Sequence, residues 1–206
     1  MAQRTRAAMM EETRAKLIAA GHRAFAAKGY AAASMDELTA EAGLTRGALY
    51  HNFGDKRGLL AAVVDRIDSG MAARAREAGQ QAGGGWRGLL AEGEAYVEMA
   101  LQPDVQRIVL LDGPAVLGDP SQWPSQSRCL EATMATLREL AAQAAIRPVD
   151  IEAAARLLNG MALNAALWVA ASGAPETTLA KAVQAFECLA SGLLTGEPPG
   201  GVGQGE

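Results

Sequence analysis

The chain has 206 residues and a net charge of −4; half of its residues are hydrophobic but only 4% are aromatic. Alanine dominates and β-branched residues are scarce, which excludes a sheet-rich fold and points to an all-α protein. No apolar run is long enough to span a bilayer and no N-terminal signal core is visible, so a cytoplasmic protein with no membrane partner is expected.

The first ten residues hold Arg4 and Arg6 without a helical stripe and read as a basic flexible arm. Residues 11–28 then show helical spacing through Leu17, Gly21, Ala24 and Phe25, with Gly29 as the stop. His22 lies one place off that stripe and is expected to have an ordinary surface role. The stretch from Ser34 to Gly58 organises everything else. Ser34 can cap a short helix, and Glu37 stands three residues on, as in a capping box. Gly43 tolerates the positive φ of a sharp turn. Thr45 can cap a second helix, from Arg46 to about Phe53, and Asp55 a third. Leu49 and Phe53 are four apart and face inward, leaving Arg46, Gly47, Tyr50, His51 and Asn52 largely free to face out. Arg, Asn and His side chains hydrogen-bond base edges, and Tyr and Lys suit phosphate oxygens. Gly47 and Ala48 keep the first turn slim enough to enter a major groove. Helix, tight turn, helix is a helix-turn-helix pattern.

The run T-R-G-A-L-Y-H-N-F-G-D-K after a Gly-ended helix resembles the DNA-binding domain of TetR/AcrR-type transcriptional regulators, over roughly residues 11 to 60. The resemblance implies that Thr45, Arg46, Gly47, Tyr50, His51 and Lys56 meet double-stranded DNA, and that Ser34 and Met35 approach its phosphates. Many members carry His just before the Phe; here Asn52 stands there and the His is at 51.

The charge is unevenly spread. Residues 1–57 carry nine Lys/Arg against six Asp/Glu, and the remainder ten against seventeen, so a positive head sits on a negative body. Residues 55–80 form a long helix linking the two, with Leu59, Leu60, Val63, Val64, Ile67 and Met71, and the triple Gly before Trp86 is the clearest break. A helix from Trp86 to Leu101 and a further one over Val105–Leu111 follow. The segment D-G-P-A-V-L-G-D-P-S-Q-W-P-S reads as a loop on its three prolines, with Trp123 either a pocket lid or a core plug. Helices are expected over 125–145, 151–172 and 176–195. The domain plan is an arm (1–10), a helix-turn-helix domain (11–58), a helical ligand-binding and dimerisation domain (59–195) and a disordered tail (196–206), about nine helices in all.

Helix 151–172 has only Glu152 and Arg156 as charges, so both of its faces need cover. The family resemblance implies a dimer through the last two helices, here assigned to Leu158, Met161, Ala165, Leu179, Val183, Phe186, Ala190 and Leu193. Candidate lining for an effector pocket is Tyr96, Met99, Ile108, Trp123, Met134, Leu137, Asn164 and Trp168, an apolar set suited to a hydrophobic, uncharged or weakly cationic small molecule. Asp112 reads as a loop cap. Cys129 and Cys188 lack metal-ligand spacing and are expected as buried small hydrophobes, a thiol sensor being the alternative. No cofactor or metal is expected. With two histidines, no phosphate-binding Gly loop and no paired carboxylates, the chain is not read as an enzyme. The expected function is a homodimeric, effector-released repressor on a palindromic operator; an activator or a ligand-independent DNA-binding protein is the alternative.

Overall fold

The computed structural model describes residues 6–196, and these are helical almost throughout. Residues 1–5, with Arg4, and the tail from 197 on lie outside the described residues. The chain divides into two compact units: one takes the N-terminal segment to Gly70 together with Ala100–Trp123, the other Met71–Met99 and the chain from Pro124 on.

The first unit opens with α1 (Arg6–Ala32). The helix begins at Arg6, so Arg6–Met10 belong to it and not to the arm expected for residues 1–10. Gly29 interrupts α1 with φ 76° and ψ 168°, a conformation open to glycine at little steric cost. Next come α2 (Met35–Glu41), α3 (Arg46–Phe53) and the start of α4 (Lys56–Gln81). Leu17, Phe25, Leu38, Leu49, Leu59, Leu60 and Val63 build the core here, each essentially without exposed surface. Burial of one such side chain contributes roughly 1.5–3 kcal/mol.

Ile108 is buried in the same core, with Val116, Leu117 and Trp123 packed against it. This is why residues 100–123 group with the N-terminal segment, a division different from the sequence-based boundary at 58. Val105–Asp112 is wound as a π-helix, with Gly113 N–H donating to the Ile108 carbonyl, where an α-helix is predicted. It is tied to α1 by three polar contacts: His22 Nε2 with Asp104 (2.9 Å), Arg107 donating to the Lys28 carbonyl (3.1 Å), and Tyr30 N–H donating to Asp112 (2.7 Å). Asp112 is thus a structural acceptor, and His22 has a hydrogen-bond partner that its place on the helix did not announce.

The loop predicted after Asp112 is a correction. It contains α6 (Gly113–Leu117) and a 3-10 turn (Pro120–Gln122), and α7 starts at Pro124. Each proline stands in the opening turn, where its missing N–H has no helical partner to lose. Trp123 is a core plug whose indole lies over Gly113.

The second unit holds the end of α4, α5 (Gly85–Glu98), α7 (Pro124–Ala142), α8 (Ile151–Ala171) and α9 (Pro175–Ser191). Asp150 caps α8, accepting from Ala153 N–H at 2.8 Å. Leu89, Leu137, Leu140, Ile146, Ala155, Leu158 and Ala190 form its core. Helix α9 ends at Ser191, short of the predicted 195, because Ile146 and Leu194 pair there as an isolated antiparallel bridge.

Candidate nucleic-acid interface

The turn between α2 and α3 is set by hydrogen bonds. Leu44 N–H donates to the Thr39 carbonyl (2.9 Å) and Gly43 N–H to the Ala40 carbonyl (3.0 Å), with Gly43 at φ +65°. This is the left-handed helix ending that a residue without Cβ favours. Ser34 Oγ accepts from Asp36 N–H at 3.3 Å and Thr45 Oγ1 from Ala48 N–H at 3.2 Å, so each helix has a side-chain cap. The Glu37 carboxyl is held below its ordinary range, first by its bond to Lys28 and last by the backbone of Ser34, but the Ser34 hydroxyl bonds Asp36 N–H and not Glu37 N–H, so only one half of the expected capping box forms.

Leu49 has no exposed surface and Phe53 is half-buried under the Arg14 guanidinium, so the opposite side of α3 is in solvent. Thr45, Arg46, Gly47, Tyr50 and His51 are exposed, Tyr50 by 53%. Two of the other residues proposed for this face behave differently. Asn52 is half-buried and its Nδ2 donates to the Ala48 carbonyl at 2.8 Å, so it folds back on its own helix instead of facing out. The physical reason is local: a short carboxamide reaches the carbonyl four residues back. Lys56 lies over the Tyr30 ring at 4.6 Å and donates to the Ala31 carbonyl at 3.3 Å. Arg46 forms a two-pronged ion pair with Asp36, which raises its pKa further; both side chains stay more than half exposed. Ser34 and Met35 are half-buried at the start of α2.

The second unit holds a cavity of about 80 Å³ among α4, α5, α7, α8 and α9. Its polar lining is Arg76, Glu92, Tyr96, Gln126, Thr133, Thr136 and Asn159. Of the eight pocket residues expected from sequence, Tyr96 alone lines it. Ile108 and Trp123 pack in the other unit, and Leu137, Met134 and Met99 are absorbed by core packing. Asn164 and Trp168 are exposed on α8. Asn159, five residues before Asn164, turns inward instead, and helical phase alone separates the two. Cys129 is half-buried at the cavity and Cys188 exposed, so neither is the buried hydrophobe expected.

Residues 17–63 match the family model of bacterial regulatory proteins of the tetR family, and residues 86–193 match the tetracyclin repressor-like C-terminal domain. A TetR-family transcriptional regulator from Pectobacterium atrosepticum superposes with a TM-score of 0.85 at 47% identity, over 94% of this chain and 99% of that one. The chain belongs to the TetR family.

Among curated TetR-type relatives, the HTH-type transcriptional regulator SrpR of Pseudomonas putida is 44% identical over 64 residues, 31% of this chain and 30% of that protein. The HTH-type transcriptional repressor AcnR of Corynebacterium glutamicum is 30% identical over 100 residues, 48% of this chain and 52% of that protein. The chain is therefore a TetR-family transcriptional regulator, and regulators of this family are not enzymes. Among the described residues no helix is long and apolar enough to cross a membrane.

The C-terminal pair of helices in this TetR-family chain leaves an apolar stripe in solvent: Leu157 (70% exposed) and Trp168 (52%) on α8, and Leu189 (67%) on α9. The residues expected from sequence for the interface are less exposed than these. Leu158, Phe186 and Ala190 are buried within the unit, and Met161, Ala165, Leu179, Val183 and Leu193 are half-buried. A helix apolar all round does not announce which face its own chain covers.

Proposed function

We propose that the protein represses transcription as a homodimer on a palindromic operator and is released by a small-molecule effector in the cytoplasm. The unit holding α2 and α3 reads DNA; the unit holding the cavity binds the effector and dimerises. The observation that carries this reading is the capped α3, with Leu49 buried and Arg46, Gly47, Tyr50 and His51 exposed along one side. Tyr50 and His51 reach the groove, Thr45, Ser34 and Lys56 lie toward phosphates, and Arg46 exchanges Asp36 for DNA. Met35 positions the start of α2, and Asn52 shapes α3 from within. Two such helices related by a two-fold axis meet half-sites about one helical turn, roughly 34–36 Å, apart.

Leu157, Gly160, Asn164, Trp168 and Leu189 form the dimer face, since exposed apolar side chains in a stripe on neighbouring helices seek a partner. The repressor assignment is supported by AcnR, which is called a transcriptional repressor. An effector releases DNA only by preferring the non-binding conformation; a tenfold loss of DNA affinity requires about 1.4 kcal/mol of differential binding. The test is selection of bound duplexes from a random pool, followed by a reporter driven from the recovered site. An inverted repeat with expression raised on deletion of the protein supports the reading. A recovered site without dyad symmetry, or expression lowered by deletion, refutes it in favour of the activator alternative.

A further inference from the structure

Helix α2 carries three carboxylates, and each is taken by a cation of a neighbouring helix. Glu37 accepts from Lys28 (2.8 Å) and Glu41 from Arg23 (2.5 Å), both on α1. Those two pairs brace α2 against α1. Asp36 differs, because its partner stands on the reading helix. Its two oxygens accept from Nε and Nη2 of Arg46, the first residue of α3. The Arg46 and Asp36 side chains are 56% and 69% exposed, so no core packing locks the pair together.

A carboxylate offers a guanidinium two adjacent acceptors. Guanine offers the same arrangement in the major groove, through O6 and N7. Asp36 and guanine are therefore rivals for one side chain. Where the base opposite Arg46 is guanine, the exchange replaces two hydrogen bonds by two. Where it is another base, Arg46 stays on Asp36 and keeps its acceptors. A wrong base then forfeits only the net gain of the exchange. It does not incur the full penalty of a guanidinium left in the groove without acceptors.

We infer that Asp36 is a specificity-determining residue: it holds Arg46 as an internal stand-in for guanine, which lowers operator affinity and caps the penalty for a wrong base at the position Arg46 reads. The inference rests on the DNA-binding reading above, in which Arg46 leaves Asp36 for DNA. Its consequence is a regulator that accepts operators varying at that position.

The test uses the full-length protein, the operator selected from a random pool and fluorescence anisotropy at one salt concentration. Arg46→Gln first identifies the base pair, as the position whose substitution no longer changes Kd. Asp36→Asn then removes the rival and keeps the bond from its own backbone N–H to Ser34 Oγ. It should tighten operator binding by up to about fivefold, the range of an exposed ion pair. It should also widen the preference for guanine at that position by up to a similar factor, and tighten binding less when Arg46 is already Gln. Weaker binding and a narrower preference in Asp36→Asn would make the carboxylate a brace that aims Arg46, and would overturn the inference. Tightening with an unchanged preference reduces Asp36 to general repulsion of phosphates and also overturns it. So does Arg46→Gln with every base preference intact. A protein that selects no duplex at all overturns the DNA-binding reading itself.

Discussion

Leu49 and Tyr50 are neighbours on α3, and truncating each to alanine should damage different properties. Leu49 has no exposed surface and packs in the cluster with Leu17, Phe25, Leu38 and Leu59. Leu49→Ala removes buried methyl groups and leaves a gap that the surrounding helices fill only in part, so it should cost about 2–5 kcal/mol. For a chain of this size each kcal/mol lowers Tm by roughly 2–4 °C. Tyr50 is 53% exposed and caps nothing, so Tyr50→Ala should change stability by about 0.5 kcal/mol or less. Its loss should appear in DNA binding as about 1–3 kcal/mol, or roughly 5- to 150-fold in Kd, the range for a side chain that touches DNA. Thermal unfolding by circular dichroism and fluorescence anisotropy with a labelled operator, at one salt concentration, measure the two effects separately. Full operator affinity in Tyr50→Ala, or an unchanged melting temperature in Leu49→Ala, would refute the placement of α3 with its apolar side inward.

If the proposed dimer face is right, replacing both Leu157 and Trp168 by Glu should leave monomers at micromolar concentration in sedimentation experiments and abolish operator binding, with helicity retained, since both side chains are solvent-exposed within the single chain. Gly43→Ala places a Cβ at φ +65° and should cost about 1–2 kcal/mol, read as a lowered melting temperature. Glu92→Gln should raise the melting temperature at neutral pH, with the gain fading as pH falls through the raised folded-state pKa of Glu92 and gone once pH is below the ordinary glutamate value. Burial raises the folded-state pKa of Glu92, so ionisation costs stability above that value and acidification removes the cost. Operator affinity should fall steeply with salt, and Lys56→Ala should flatten that slope, as loss of a phosphate contact does.

Much of the DNA-reading head is legible in the chain because its signals are local. Ser34, Gly43, Thr45 and Asp55 act on backbone groups within a few residues, and their caps and turn occur where the sequence has them. Asn52 is the exception at this face: its type suits a base edge, but the Ala48 carbonyl lies within its reach. The prolines at 114, 120 and 124 mislead when read as loop formers, since a proline at the opening turn is equally a helix starter.

By itself, the sequence determined the helical composition, the capped turn before α3 and the buried spacing of Leu49, because these depend on neighbours along the chain. Only the tertiary structure decided that Val105–Asp112 and Trp123 complete the core beneath the DNA-reading helices, that Asn159 and not Asn164 faces the cavity, and that Leu157, Trp168 and Leu189 stay in solvent. Helices α8 and α9 are apolar on more than one side, so the pattern of residues does not say which side each neighbouring helix will cover; packing makes that choice.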